Sequence, residues 1–288
     1  MSSRIVLTTV AALTVLAGTL SAAPLAYEDF ESFAPGNFTS GGGWTVPGTP
    51  GVAISIVNNK DLSYSGGAVF IDAGNQALRF SSGSDSSVIT GDTINAVAHT
   101  TFPSQTGPIY FSFLAELNDV VHNNNGVFMQ TFLSDNNTIH SSGSMILFGG
   151  ASGSQPGDMR ARLTNSSGTR SEVTPSYSRD TTMFMVGRLS KSGAPGSNYD
   201  TFEMIVNPTS LTEPGSWTYV PSTFNTNTSS VDHLGIRLAN TSGSELAWID
   251  EIRIGTTFNS VVVPEPGTGI MLILAGMALA LFHRRRSR

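Results

Sequence analysis

The chain of 288 residues contains no cysteine and few charged residues. The absence of cysteine excludes disulfides, thiolate metal sites and cysteine nucleophiles together. Charged residues make up 12% of the chain and hydrophobic residues 39%, which is typical of a protein that buries a core and not of a disordered one. The length suits one large domain or two small ones, and packing alone must hold them together.

Positive charge is also scarce. The chain has 15 Lys and Arg residues against 21 Asp and Glu residues. Five of the cations lie at the two ends of the chain: Arg4, Arg284, Arg285, Arg286 and Arg288. The stretch between the ends is therefore strongly acidic and would repel the phosphates of nucleic acid. We expect no nucleic-acid partner.

No internal stretch has the spacing of a convincing amphipathic helix. Short runs of alternating apolar residues, separated by Gly, Ser, Asn and Pro, predict strands instead. One run places five apolar residues on one face: Ile109, Phe111, Phe113, Ala115 and Leu117. Further strands are predicted at 127–133, 144–150, 160–163, 183–189, 201–207, 234–240 and 246–255. This pattern predicts an all-β fold, an antiparallel jelly-roll β-sandwich with a single domain over 27–255.

Recognisable catalytic motifs are absent as well. The sequence has no Gly-x-Ser-x-Gly or His-Glu-x-x-His motif, and the glycines at 41–43 predict a loop with positive φ. A retaining glycosidase needs two carboxylates about 5–5.5 Å apart. The nearest acids are Glu245, Asp250 and Glu251, and strand alternation puts the last two on opposite faces unless a bulge intervenes. We expect no enzyme, with a glycan-cleaving hydrolase as an alternative.

The first 26 residues predict a secretory signal peptide. Arg4 precedes an apolar stretch from Ile5 to about Leu20, and small residues follow. A buried N-terminal helix is the other interpretation, but the run has no polar face. The signal peptide predicts that the protein is exported.

The last 26 residues combine prolines, a short apolar run and arginines. A transmembrane helix is predicted at 268–282, with a length of roughly 22 Å against a hydrocarbon core of roughly 30 Å. Pro264 and Pro266 would hold an extended segment in front of it, accessible to a processing enzyme. A cluster that orients this helix, with its C-terminus cytoplasmic, consists of Arg284, Arg285, Arg286 and Arg288. A simple membrane anchor is the alternative.

The ordered set of Val263, Pro264, Glu265 and Pro266, a short apolar helix and terminal arginines resembles the PEP-CTERM sorting signal of exported bacterial proteins. The resemblance covers 263–288. It implies cleavage near the Pro-Glu-Pro motif by an exosortase, a membrane-embedded processing enzyme. It also implies an inner-membrane precursor and a mature protein at the cell surface or in the extracellular matrix of a biofilm. Residues 256–262 would be a linker to this signal.

Four stretches of the body resemble the concanavalin A-like, laminin-G-like β-sandwich of exported bacterial surface proteins. They are YEDFESF at 27–33, FMVGRLSKSG at 184–193, DTFEMIVNP at 200–208 and WIDEIRIGTTF at 248–258. The resemblance implies the fold but no particular function, because such sandwiches carry many activities.

A buried acid suggests one binding feature. Asp250 alternates with apolar residues on the last predicted strand, which would direct it inward, and a buried carboxylate needs a partner. One hypothesis is a structural calcium ion held with Glu28 and Asp29. The other is that Asp250 accepts hydrogen bonds from backbone amides or pairs with an arginine.

Tryptophans suggest a second binding feature. Trp44 and Trp217 follow turn residues and are candidates for a sugar platform, because an aromatic ring packs against the apolar face of a sugar. Packing against the edge of the sandwich is the other interpretation. Trp248 alternates with apolar residues and is predicted in the core.

Together these patterns predict an exported, non-catalytic surface or matrix protein, processed by an exosortase and in transient contact with the membrane. A lectin-like module that binds exopolysaccharide is the alternative function.

Overall fold

The computed structural model describes residues 23–38, 40–46, 52–72, 74–82, 95–117, 128–135, 143–149, 159–165, 167, 169–173, 180–194, 196–239 and 246–263. Within these residues the chain forms eighteen strands and one short helix. They are β1 (Ala26–Glu28), β2 (Gly36–Asn37), β3 (Ser40–Gly41), β4 (Trp44–Thr45), β5 (Val52–Asn58), β6 (Ser63–Gly66), β7 (Val69–Asp72), β8 (Gln76–Ser82), β9 (Asn95–Gln105), β10 (Ile109–Leu117), β11 (Phe128–Ser134), β12 (Gly143–Gly149), β13 (Met159–Thr164), β14 (Arg170–Val173), β15 (Met183–Ser190), β16 (Thr201–Val206), β17 (Val231–Ala239), β18 (Leu246–Gly255) and α1 (Asn259–Val262).

Two antiparallel sheets contain most of these strands. Sheet I has the order β16-β15-β10-β18-β8-β5-β2, with β1 paired to β18 beside β8. Sheet II has the order β14-β13-β12-β11-β17-β9-β4-β3. The chain crosses repeatedly between the sheets, so β10 pairs with β18 and β9 pairs with β17. The all-β prediction is confirmed, and the eight predicted strands agree with the structure to within three residues at each end.

Alternating side chains from both sheets form one core between them. Met129 of β11 and Leu234 of β17 enter it from sheet II. From sheet I, β10 contributes the five residues that the sequence placed on one face: Ile109, Phe111, Phe113, Ala115 and Leu117. Because successive side chains of a strand point to opposite faces, this alternation buries one face of each sheet and makes a sandwich.

A further layer covers the outer face of sheet I. The β6–β7 hairpin contributes Val69 and Ile71 to a second cluster of buried apolar side chains. Leu114 of β10 and Phe184 of β15 face this cluster from the sheet. Both faces of β10 are therefore buried, which explains the almost continuous apolar character of its sequence.

Residues 256–262, predicted as a linker, are packed against the domain in the structure. Phe258, Val261 and Val262 are buried in the outer cluster. The hydroxyl of Ser112 in β10 donates a hydrogen bond to the carbonyl oxygen of Val261 at 2.6 Å. The apolar residues of this segment therefore add to the outer layer, and the packed chain continues to Val263.

A β-bulge in β18 changes the alternation along that strand. Ser112 pairs with Arg253 and Leu114 pairs with Asp250, so a single residue of β10 faces two residues of β18. Glu251, one of those two, has a φ of 51°. Such an extra residue shifts the alternation by one position beyond the bulge.

The bulge corrects three orientations predicted from the sequence. Asp250 pairs with Leu114 of the outer cluster and so faces away from the inter-sheet core. Glu251 contacts Arg253 on that same outer face, so the two acids are not separated as simple alternation predicted. Trp248, predicted in the core, packs against the outer cluster, whereas simple alternation would put Ile252 on the same face and Ile252 lies in the inter-sheet core.

Gly235 in β17 provides space for an aromatic ring on the outer face of sheet II. A Cβ atom added at this glycine would lie 2.1 Å from the Cζ atom of Phe132, which is in the paired position of β11. No real Cβ contact is this short, so the ring occupies the space that a side chain at position 235 would need.

We expect Gly235→Ala to lower the free energy of unfolding by about 1–3 kcal/mol through overpacking, measured by chemical denaturation. Adding Phe132→Leu should recover part of the loss, because it removes the opposing ring. Gly215→Ala is the control, since nothing lies within 4 Å of the added atom. Equal stability of Gly235→Ala and the unchanged protein would contradict this packing.

Candidate functional site

Aromatic side chains pack together where the chain enters the sandwich. The rings of Phe30, Phe33, Phe38 and Trp44 form a cluster with centroids between 5.1 and 6.5 Å apart. Trp44 is only 4% exposed. It is therefore a core residue and not the exposed sugar platform predicted from the sequence, because the neighbouring phenylalanines pack around its indole.

Trp44 holds the carboxylate of Glu28. The indole Nε1 donates a hydrogen bond to Oε2 of Glu28 at 3.0 Å, and the backbone N–H of Phe30 donates to Oε1 at 2.8 Å. Glu28 pairs with Ile252 across β1 and β18. Burial raises the pKa of Glu28, and these two hydrogen bonds act in the opposite direction. The carboxylate is thus oriented by one residue of sheet II and one main-chain donor.

A half-open cavity of about 200 Å³ lies beside this carboxylate, between the two sheets. Leu234, Ile252 and Ile254 form its apolar inner end, and all three are buried core residues. Thr100 and Thr101 of β9 line another side, and Thr100 directs its hydroxyl between the sheets because it pairs with the core residue Leu234. A cavity with an apolar base and a few polar groups is a typical small-molecule site.

A glycine turn forms one wall of the cavity. Gly42 and Gly43, between β3 and β4, have φ values of 57° and 88°, which confirms the positive φ predicted for this loop. A Cβ atom at Gly42 would lie 2.4 Å from the ring of Phe33. The carbonyl oxygen of Gly43 accepts a hydrogen bond from the Thr100 hydroxyl at 3.2 Å. This turn therefore ties the wall of the cavity to β9.

A charged network lies on the opposite side of β1. The hydroxyl of Tyr27 donates to Oε1 of Glu251 at 2.7 Å, and the guanidinium of Arg253 donates to the other oxygen. Arg253 also lies 5.2 Å from the centre of the Tyr27 ring and donates to the carbonyl oxygen of Val263 at 2.8 Å. Burial raises the pKa of Glu251 despite the adjacent arginine. The network connects β1, the bulge and the end of the described chain.

Asp250 is fully buried next to this network. Its Oδ1 accepts the backbone N–H of Glu251 at 2.8 Å, and its Oδ2 has no hydrogen-bond partner among the described residues. Burial, with the negative charges of Glu251, Asp29 and Glu31 adding to it, raises the pKa of Asp250 to about 10. Asp250 is therefore neutral at physiological pH.

The structure does not bring Glu28, Asp29 and Asp250 together as a calcium site. Glu28 is hydrogen-bonded beside the cavity, and Oδ1 of Asp29 accepts the backbone N–H of Glu31 at 3.1 Å. Within the described segments, no group of three or more His, Asp or Glu side chains is placed to hold a metal ion. Asp250 instead accepts a hydrogen bond from a backbone amide, as the second of the two hypotheses predicted.

Trp217 lies far along the chain in a separate aromatic cluster. The guanidinium of Arg188 is 5.2 Å from the centre of its ring and forms ion pairs with Glu203 and Glu213. The hydroxyl of Tyr110 donates to Glu213 at 3.0 Å. Trp217 is partly buried against the outer cluster, and its Nε1 has no hydrogen-bond partner among the described residues. Arg188 therefore covers the ring face against which a sugar would have to pack.

Several residues of the site were not singled out from the sequence. Thr100 and Thr101 belong to β9, which carries little apolar alternation and was not predicted as a strand. Tyr27 and Arg253 are 226 positions apart and meet only through the pairing of β1 with β18. No sequence signal marks these contacts, apart from the concentration of acids and aromatics near both ends of the domain.

Other predicted features lie outside the described residues. These are most of the signal peptide, the motif residues Pro264, Glu265 and Pro266, the segment 268–282, the four terminal arginines and Glu245. In the part of the chain that the structure covers, no helix combines the length and hydrophobicity needed to cross a membrane.

Comparisons with known proteins find similarity in structure but not in sequence. No protein-family model and no curated protein matches the chain. Among solved structures, the lectin UEA-II complexed with galactose has 10% identity and a TM-score of 0.44, over 80% of this chain and 97% of that one. The exoplasmic/lumenal domain of VIP36, bound to Ca²⁺ and Man3GlcNAc, has 10% identity and a TM-score of 0.43, over 75% and 84%.

The binding domain of botulinum neurotoxin serotype G is also similar, with 13% identity and a TM-score of 0.38. That match covers 73% of this chain but only 45% of the neurotoxin domain. These similarities are too distant to support a functional argument, so the function has to be inferred from the residues of this chain.

The neutral form of Asp250 predicts a specific dependence of stability on pH. Because its pKa in the folded protein is raised, its contribution to stability is fully present below the unfolded pKa near 4 and is lost as pH rises toward 10. With Asp250→Asn, the free energy of unfolding should fall less steeply between pH 5 and 8, by about 1.4 kcal/mol per pH unit. Chemical denaturation across that range measures it.

Asp61→Asn is the matched control, because Asp61 is exposed. It makes the same chemical change at the surface of the domain. If Asp250→Asn and the unchanged protein lose stability at the same rate between pH 5 and 8, Asp250 is ionised in the folded protein and the assignment is wrong.

Proposed function

We propose that this domain is a non-catalytic carbohydrate-binding module and that the cavity beside Glu28 is its binding site. The observation that carries the proposal is the composition of this cavity, which combines a partly buried, oriented carboxylate and the hydroxyl of Thr100 with apolar core side chains. A sugar has the same combination of properties, because its hydroxyls need hydrogen bonds and its C–H face is apolar.

Each lining group has a role toward a sugar. The Glu28 carboxylate accepts hydrogen bonds from sugar hydroxyls, and a hydrogen bond to a charged acceptor is stronger than one between neutral groups. The hydroxyl of Thr100 donates or accepts as the ligand requires. Leu234, Ile252 and Ile254 contact the C–H groups of the ring. Held within the sandwich, these groups need little reorganisation when the ligand binds.

A binding role agrees better with the acids of the site than a hydrolytic one. Asp250 and Glu251 lie buried on the outer face of sheet I, and Glu251 is occupied by Tyr27 and Arg253. Glu28 lies on the inner side of β1, and among the described residues that line the cavity it is the single carboxylate, where a retaining glycosidase needs a pair.

Variants of the cavity test the proposal. We expect Glu28→Gln and Thr100→Val each to weaken binding of the full-length protein to an array of neutral hexose glycans. Loss of one hydrogen bond to a charged group costs about 1.5–3 kcal/mol, or roughly a ten- to hundred-fold rise in Kd for Glu28→Gln. Thermal unfolding checks that the variants stay folded.

Trp217→Phe separates this site from the other predicted sugar platform. It should leave glycan binding unchanged, because Trp217 belongs to the Arg188 cluster and does not line the cavity. Loss of binding in Trp217→Phe, with full binding in both cavity variants, would place the sugar at Trp217 instead.

We further propose that the protein is exported and released from the membrane by an exosortase near Pro264-Glu265-Pro266, as a concanavalin A-like jelly-roll domain of the cell surface or biofilm matrix. The N-terminal apolar stretch, the Pro-Glu-Pro motif and the terminal arginines support this location. Exopolysaccharide outside the cell would then supply the glycan for the cavity.

Intact mass spectrometry tests the processing. Protein recovered from the medium should lack both the signal peptide and the segment after the Pro-Glu-Pro motif, whereas the precursor in the membrane fraction should retain the latter. Replacing Pro264 and Pro266 with Ala should leave the precursor in the membrane. Full-length tails on protein in the medium would contradict the proposal.

A further inference from the structure

The charge of the cavity restricts the sugars that it can accept. Among the described residues around it, Glu28 is the one charged side chain, and the others are Ala, Tyr, Gly, Trp, Thr, Leu and Ile. Within the described part of the chain, no lysine, arginine or histidine lines the space to neutralise an acidic ligand. Since like charges repel strongly away from bulk water, the carboxylate of a uronic acid is disfavoured here.

Glu28 cannot easily turn away from a ligand. Trp44 and the Phe30 backbone N–H each hold one of its carboxylate oxygens, at 3.0 and 2.8 Å. Each oxygen retains a further lone pair for a ligand hydroxyl. The same carboxylate therefore attracts hydroxyl groups and repels acidic groups from a fixed position.

The size and shape of the cavity restrict the ligand further. Its volume of about 200 Å³ is below the roughly 300–1,000 Å³ of sites for drug-sized ligands. A cavity of about 150 Å³ holds one benzene ring, so the space here suits a single six-membered sugar ring. Leu234, Ile252 and Ile254 bound the cavity as buried core residues, so a glycan chain held there can continue only toward its open side.

Charge and shape together define a ligand class. We infer that the cavity binds one neutral sugar residue at the end of a glycan chain, and that it excludes uronic acids and internal residues of a polysaccharide. This inference rests on the proposed carbohydrate-binding function and specifies the substrate of that same site.

The charge selection is tested with methyl glycosides of glucose, galactose and mannose and with the matching methyl hexuronides. Isothermal titration calorimetry of the full-length protein should give at least a hundred-fold weaker binding for each hexuronide than for the hexoside that binds best. Glu28→Gln should weaken hexoside binding at least ten-fold and reduce the discrimination against its hexuronide to below ten-fold. Equal binding of hexosides and hexuronides would overturn the charge selection.

Thr100→Val is the control for Glu28→Gln. It removes a hydroxyl from the same cavity without changing the charge, so it should weaken the hexoside while the preference over the hexuronide stays at least a hundred-fold. A similar loss of preference in both variants would show that the discrimination does not come from the Glu28 charge.

The chain-end selection is tested with oligosaccharides of one to six units of the best-binding hexose. The affinity should change less than three-fold along the series, because one terminal residue fills the cavity. A steady rise of ten-fold or more with length would show that internal residues bind and would overturn the inference. If no neutral glycan or monosaccharide binds at all, the proposed function itself fails, which is a distinct outcome.

Discussion

Burial of alternating apolar side chains between two antiparallel sheets is the interaction on which this domain depends. The chain has no cysteine, so no disulfide supplements that packing. β10 shows this packing most clearly. Phe111 and Phe113 face the inter-sheet core, while Leu114 faces the β6–β7 hairpin and α1 on the outer side. At about 25 cal/mol per Å² of buried apolar surface, such a strand stabilises both layers at once.

The β18 bulge interrupts this regular packing and brings charged side chains together on one face of the sheet. One extra residue turns Asp250 and Glu251 to the outer face, where Tyr27 and Arg253 satisfy Glu251. Asp250 obtains a single backbone hydrogen bond and remains neutral through burial. Bulges commonly reorient side chains in this way. Here the bulge also joins the first strand of the domain to Val263, the last described residue.

The cavity arises because β1 is short and pairs only with the C-terminal part of β18. Opposite β1, the glycine turn before Trp44 brings sheet II close enough for the indole to reach Glu28. A carboxylate that would be costly in a sealed core is thus placed at a half-open edge, where two donors and solvent offset its burial. The packing that forms the core therefore also orients Glu28, the one charged side chain among the described residues that line the cavity.

Much of the architecture could be predicted from sequence alone, because alternation is a local signal. The strand at 109–117, the long final strand and the positive φ of Gly42 all followed from residue types at short spacing. Strands β1 to β9 and β14 were not predicted. β1 to β4 have only two or three residues and β9 contains many polar residues and Pro103, but the apolar residues of β5 do alternate and this signal was not recognised. The sequence alone therefore determined an all-β chain in which the strands with alternating apolar residues bury one face, whereas both residues of β2 are exposed. Only the tertiary structure decided that Trp44 is a core residue bonded to Glu28, that 256–262 packs on sheet I, and that Asp250 faces outward, because each depends on pairing between segments distant in sequence.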